Sequence, residues 1–253
     1  MSADNVPRRT VQDSASFLTL LGGFQLQVNQ RGVYLPPSAQ RLLAYLALHN
    51  GVVCRDQAAE LLWPNLPRAR AGASLRSALW RISRRSSPHP VVDLGTTRLS
   101  LCSRVSVDLP TASRYAAALA NGSGDDPPGE EIPGVLREEL LPSWYDDWLV
   151  DAREHFHQLR LHALEAASRH HRSHGRLCTA LMYAMTAAEA EPLRESAHRE
   201  ITAVHLAEGN ATEALRHFTS YRHRLHRELG LPPSTEYRRL ISPYLGRQPS
   251  GRG

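Results

Sequence analysis

A pattern of glycine, alanine and leucine returns at a fixed interval in the last third of the chain. Gly175-x-x-x-x-Ala180-Leu181 comes back as Gly209-x-x-x-x-Ala214-Leu215, 34 residues later. That interval is the period of tetratricopeptide helix pairs, in which each unit buries its apolar face only by stacking on a neighbour. Each Gly is expected at the bend between paired helices, and each Ala-Leu at the small-residue contact between them. Glu191-Pro192-Leu193 is placed to end one repeat and start the next. About two repeats show, so helices ahead of them must complete the core. From Leu136 onward the chain reads almost entirely as helix, with one long amphipathic helix over 147–174. Leu229-Gly230-Leu231-Pro232-Pro233 ends the last long helix, and 234–245 adds a short closing one.

The first half is patterned differently. With 253 residues there is room for two domains. All 30 basic residues are Arg, against 25 acidic ones, for a net charge of +5. A chain without Lys reflects codon usage as much as function, so the position of each Arg says more than the total. Between Leu61 and Val92 there is no Asp or Glu, yet Arg68, Arg70, Arg76, Arg81, Arg84 and Arg85 all fall there. Residues 71–85 have helical spacing. Ala71, Leu75, Ala78, Leu79 and Ile82 share one side, with Arg70, Ala73, Ser77, Trp80, Arg81 and Arg84 opposite. A helix with one apolar stripe and a basic outer face suits a DNA major groove, whose rims are phosphates and whose floor offers acceptors to Arg. The plain alternative is a solvated, arginine-rich helix.

Its surroundings favour the groove. Residues 17–35 read as three short strands, broken at Gly22-Gly23 and over 29–32. Pro36-Pro37-Ser38 opens a helix with Ser38 as N-cap and Leu42, Leu43 and Leu46 as its stripe, and Asn50-Gly51 stops it. A second helix is expected over 55–63, with Cys54 where a Ser or Thr cap would stand and Gln57 three residues on. Ala58, Leu61 and Leu62 should face inward, and Pro64 ends it. After the basic helix, Pro88-His89-Pro90 breaks the pattern and 91–101 reads as a hairpin. Residues 105–107 make one more strand, and Asp108 caps a helix running to Ala120. A Gly/Pro/acid loop follows over 121–134.

Three strands, three helices and a hairpin, in that order, describe a winged helix-turn-helix with an N-terminal sheet. The expected fold is therefore mainly α: an N-terminal winged helix-turn-helix (α+β) followed by an all-α tetratricopeptide-like domain. The expected boundaries are a disordered lead-in over 1–15, a DNA-binding domain over 16–107, a helical domain over 108–246 and a disordered tail over 247–253. On the outer face, Arg81, Arg84 and Ser77 are candidates for base edges, and Arg70 and Arg76 for phosphates. Trp80 is read first as packing beside the apolar stripe and second as a contact to a sugar or a thymine methyl. Arg85 falls nearer the core side, as a partner for the helix C-terminal dipole. At the wing tip, Gly95, Thr96, Thr97 and Arg98 are small, hydroxylic or basic, and Thr97 and Arg98 are expected to touch the DNA backbone.

Other chemistries find little footing. Cys54, Cys102 and Cys178 are odd in number and form no C-x-x-C, which fits a reducing cytosol without disulfides or a zinc module. The polar start is neither a signal peptide nor an anchor, and no window is apolar enough to span a membrane. A cytoplasmic, nucleoid-associated protein is expected. His155-x-His157, His170-His171-x-x-His174 and His223-x-x-His226 lack the companions a metal needs, so they are read as surface histidines and no cofactor is expected. There is no nucleophile elbow, phosphate loop or dinucleotide glycine motif, and Glu138-Glu139 and Asp146-Asp147 read as helix-surface acids, so no enzyme is expected.

Four stretches together resemble one bacterial family. They are LGGFQLQV from Leu20, SAQRLLAYLALHNGVVCRDQAAELLWP from Ser38, ASLRSALWRISRR from Ala73, and AEPLRESAHREITAVHLAEGNATEALRHFTSYRHRLHRELGLPPS from Ala190. In that order, over roughly 17–245, the chain resembles the Streptomyces antibiotic regulatory protein family, whose second part is called the bacterial transcriptional activation domain. The resemblance implies a transcription activator that binds direct repeats in double-stranded promoter DNA and controls secondary-metabolite genes. Its helical domain would contact RNA polymerase or a second copy in a homodimer. The recognition helix falls on 71–85 and the wing on 91–101. No receiver domain precedes the winged helix and no G-x-x-x-x-G-K-[ST] follows it, so a stand-alone, small member is expected. Two rivals remain: a helical-repeat interaction scaffold whose winged helix does not bind DNA, and a repressor in place of an activator.

Overall fold

The computed structural model describes residues 16–49, 51–123 and 133–245. The expected lead-in, Asn50 of the helix stop, most of the acidic loop and the tail lie outside the described residues. Those described form two compact units, one from 16–111 with 139–155 and the other from 112–138 with 156–245.

The first unit holds two small sheets and three packed helices. Strands β1 (Ser16–Thr19), β2 (Gln25–Val28) and β3 (Arg31–Gly32) are antiparallel, and β7 (Val105–Val107) runs parallel to β1, giving the order β3-β2-β1-β7. Asn29 and Gln30 turn between β2 and β3 with φ of 49° and 63°, the left-handed pair a two-residue hairpin turn demands. The expected break over 29–32 is therefore narrower, because Arg31 and Gly32 pair with Val28 and Gln27.

Helix α1 (Pro37–Leu48) starts one residue before its expected cap. Pro36 is extended, Pro37 takes the first helical position, and the Pro36 carbonyl accepts from Ala39 and Gln40. Proline is pre-set for that first position and drives the residue before it out of helical geometry. Ser38 is thus inside the helix and caps nothing. Helix α2 (Arg55–Leu62) follows Cys54, which makes no side-chain cap bond. Ala58, Ala59 and Leu62 are buried there, while Leu61 is only half-buried. Helix α3 (Arg68–Ser86) buries Ala71, Leu75, Ala78, Leu79 and Ile82, the stripe its spacing gives, and packs on α1 and α2. The second sheet is β4-β6-β5, from Val53–Cys54, Arg98–Leu101 and Val92–Leu94.

Asp108 opens α4 (Asp108–Ala120), but its carboxylate reaches back across the chain. It accepts from the amides of Leu20 at 2.9 and 3.0 Å, Leu21 at 3.0 Å and Leu109 at 2.7 Å. It therefore ties the end of β1 to the first turn of α4. Burial pushes its pKa up, and these amide bonds oppose that shift. Residues 139–155 belong to the same unit. Leu21 bridges Leu140, the Gly22 amide donates to Glu139, and the Leu141 amide donates to Leu20. The Arg153 guanidinium donates to the carbonyls of Leu140, Leu141 and Trp144. Glu138 and Asp146 are in extended backbone, not on a helix surface, and Asp146 pairs with Arg41. Two extended flanks leave no helical register for those acids to occupy.

The second unit has no strand among its described residues. It includes the one-turn α5 (Gly134–Arg137), and α6 (Val150–Ser173), which follows a 3-10 turn over Asp147–Leu149 in the first unit, belongs to it from residue 156 onward. Helices α7 (Leu177–Ala190), α8 (Glu195–Ala207), α9 (Ala211–Leu229) and α10 (Thr235–Leu245) complete it. Gly175 and Gly209 sit at the α6–α7 and α8–α9 bends with φ of 73° and 75°. At both bends the amide after the Gly donates to a carbonyl five residues back, Arg176 to His171 and Asn210 to His205, each at 2.9 Å. Only Gly takes this left-handed geometry freely. Ala180 and Ala214 are both fully buried. One core cluster gathers Leu136, Leu161, Leu164, Tyr183 and Ile201, and another gathers Phe218, Tyr221, Leu225, Tyr237 and Ile241. The histidines are not all on the surface: His171 is fully buried and stacks on Tyr183 at 5.3 Å. Among the described residues no helix is long and apolar enough to cross a membrane.

Candidate nucleic-acid interface

Helix α3 turns its unburied face outward over its whole length. Arg70, Arg76, Ser77, Trp80, Arg81, Arg84 and Arg85 are all exposed. Of the six arginines in this stretch, Arg68 is neutralised within the fold. It donates to Asp56 at 2.6 Å and lies 3.6 Å from Glu60, tying the start of α3 to α2. Those carboxylates hold its pKa up. Arg70, Arg76, Arg81, Arg84 and Arg85 have no carboxylate within ion-pair distance among the described residues. Unopposed cations spaced along one helix face set up a positive strip that attracts polyanions.

Trp80 is 58% exposed, so it is not part of the packing beneath α3. The Arg84 guanidinium lies over its ring, 5.1 Å from the centroid, a cation–π arrangement that holds both side chains upright. Arg85 is also exposed, which corrects its expected place on the core side. Together with Tyr34, Pro36, Trp80, Arg81 and Arg84 it lines one concavity at the C-terminal half of α3. Tyr34 is missing from the sequence-level candidates. Its signal was a β-like alternation, since Leu35 beside it is buried while Tyr34 is 76% exposed.

The hairpin β5–β6 stands beside this helix in the same unit, with Gly95, Thr96, Thr97 and Arg98 exposed at its tip. Its turn is closed by the Gly95 amide donating to Arg98 at 3.0 Å. A Cβ at Gly95 would meet that same Arg98 carbonyl oxygen at 3.0 Å, so the turn is built for glycine. From the start of α2, the Arg55 amide donates to the Thr97 carbonyl and the Arg55 side chain donates to the Gly95 carbonyl at 3.1 Å. Two-residue β4 pairs with β6 through Val53–Leu99 and Cys54–Arg98. The tip is therefore bolted to α2 by backbone and side chain together, leaving the hydroxyl of Thr97 and the guanidinium of Arg98 facing out.

Residues 131–243 match the model of the bacterial transcriptional activator domain. The match covers less than half of the chain and carries both glycine bends of the activator domain. No curated protein matches the chain in sequence. In fold, the chain is similar to Mycobacterium tuberculosis EmbR, seen in complex with a low-affinity phosphopeptide, with a TM-score of 0.70 at 19% identity. That likeness covers 94% of this chain and 66% of the EmbR chain, and it concerns the fold. The family match concerns 131–243, and the likeness to EmbR shows the fold.

Proposed function

We propose that this protein is a sequence-specific, double-stranded DNA-binding transcription regulator, with α3 as recognition helix and the β5–β6 hairpin as wing. The observation that carries the reading is the row of five unpaired arginines on the exposed face of α3, beside a polar hairpin fixed to α2. Arg81, Arg84 and Ser77 read base edges, with Trp80 packing its exposed ring on sugar or a thymine methyl. Arg70 and Arg76 hold phosphates, and Thr97 and Arg98 hold the backbone beside the groove. The functional division places DNA binding in 16–107 and activation in 108–246.

The regulator is an activator that binds direct repeats beside promoters and contacts RNA polymerase through the activator domain, which also supports a homodimer. Secondary-metabolite genes are its targets. The test is selection of genomic fragments by purified protein, followed by transcription of the neighbouring genes with and without the regulator. Enrichment of a short direct repeat, with transcription rising in its presence, is the expected outcome. Enrichment with transcription falling would make it a repressor, and no enrichment by folded protein would sink DNA binding altogether.

A further inference from the structure

A second concavity, of 510 Å³, lies in the activator domain among side chains of α7, α8, α9 and the α7–α8 connection. One wall is apolar, from Met185, Ala188 and Ile201, and Met185 is 46% exposed. The polar wall comes from His198, His217 and Arg224.

Hydrogen bonds fix the protons on that polar wall. His198 Nε2 lies 3.0 Å from the Pro192 carbonyl, which can only accept, so this nitrogen carries the hydrogen. His198 Nδ1 lies 3.0 Å from His217 Nε2. A neutral His198 offers a lone pair there, so His217 Nε2 donates and His217 Nδ1 is left as a lone pair. The His198 ring is held between His217 at 5.1 Å and Tyr221 at 4.4 Å. Burial keeps both imidazoles neutral, lowering His198 and taking His217 to about 4, with His198, His205 and Arg224 adding repulsion. Arg224, half-buried, has no carboxylate within ion-pair distance among the described residues. The nearby acids are committed or at the edge: Glu195 accepts from the Ser234 amide, Glu208 pairs with His205, and Glu189 is exposed.

We infer that this concavity binds a small organic carboxylate with an apolar body. An unpaired guanidinium next to neutral imidazoles is complementary to one negative charge, and a fork of N–H groups matches the two oxygens of a carboxylate. The apolar wall takes the rest of the ligand, and the volume suits a small molecule. A cationic amine would meet the Arg224 charge, with the exposed Glu189 at the edge as the carboxylate not already paired among the described residues of this wall. A bound anion beside His217 favours the protonated imidazole, so binding takes up a proton and tightens as pH falls; Arg224, His198 and His205 oppose that uptake, and Glu195, Glu189 and Glu208 assist it.

The test uses the full chain with benzoate, indole-3-acetate and octanoate as probes and their methyl esters as neutral controls, read by histidine side-chain NMR and calorimetry. At least one acid should saturate with movement of the His198 and His217 signals, and its ester should bind at least about tenfold more weakly. Affinity should rise between about pH 7 and pH 5.5, with proton uptake. Arg224→Gln should weaken the acid about tenfold or more, while Arg222→Gln, exposed on the same helix, should change nothing. If Arg224→Gln fails to fold, the acid-against-ester comparison decides alone. The inference is overturned if no acid moves the two histidine signals up to about 10 mM, or if acid and ester bind equally.

Discussion

Helices α3 and α9 are both 19 residues long and both rich in arginine, yet they use it oppositely. In α9, Arg216 pairs with Glu213 and Arg227 with Glu228, and Asn210 caps the first turn by accepting from the Glu213 amide. Two of its four arginines are thus matched by an acid on the same helix, a common condition of a solvated face. In α3 no acid occurs between its first and last residues, and only Arg68 finds carboxylates, on a different helix. Arginine content alone would not separate the two. The separation lies in whether any acid shares the helix, and on that difference rests the proposal that α3 meets nucleic acid.

The largest expected effect sharpens that contrast. Arg81→Ala should cost about 1–3 kcal/mol on the cognate site and relax base preference there, and adding Arg84→Ala should deepen the loss. Arg222→Ala with Arg227→Ala in α9 should leave DNA affinity unchanged. Equal losses on cognate and scrambled duplexes for Arg81→Ala would remove its base-reading role.

Next comes packing. Ala180 is fully buried at the repeat contact, so Ala180→Leu should destabilise the second unit by about 1–3 kcal/mol in denaturant unfolding. Bases on α3 should still be read with the same preference by the folded fraction.

A smaller effect separates Arg70 from Arg68. Arg70→Ala should weaken every duplex alike and lower the salt dependence of binding by about one unit of slope. Arg68→Ala should change that slope less, because Asp56 and Glu60 already neutralise Arg68. Equal slopes for the two variants would break the comparison between paired and unpaired arginines.

The smallest is a pH effect confined to the second unit. His198 and His217 are held below their ordinary 6.5, His217 at about 4. Between those values the unfolded chain binds more protons than the folded one, so stability rises with pH across that window and falls on acidification. The denaturation midpoint should therefore drop between about pH 7 and pH 5, while the arginines of α3 keep their charge throughout.

Much of this was legible before the structure. The stripe of α3 repeats at helical spacing, and the glycines at 175 and 209 mark bends that no other residue takes freely, so both survive intact. What escaped is non-local. Val53–Cys54 is a strand only because β6 lies beside it, and two residues carry no period. Asp108 looks like a cap from its neighbours, yet its partners Leu20 and Leu21 are more than eighty residues away. Arg68 counted as a free cation until α2 placed Asp56 against it. Ser38 has cap chemistry but Pro37 starts the helix first. Trp80 and Arg85 lie near the edge of the apolar stripe, where a small rotation of the helix decides exposure, and here both turn outward. His171, His198 and His217 are buried or half-buried by neighbouring helices, which a surface reading of histidine does not anticipate.

The most direct measurement is binding of the full chain to an enriched genomic fragment across a range of salt concentrations. Arg70 and Arg76 on α3 and Arg98 on the hairpin should release counterions from phosphates, so affinity should fall steeply as salt rises, and less steeply for Arg70→Ala. Binding that ignores salt, or no duplex binding at any salt by folded protein, would contradict the assignment of α3 to DNA.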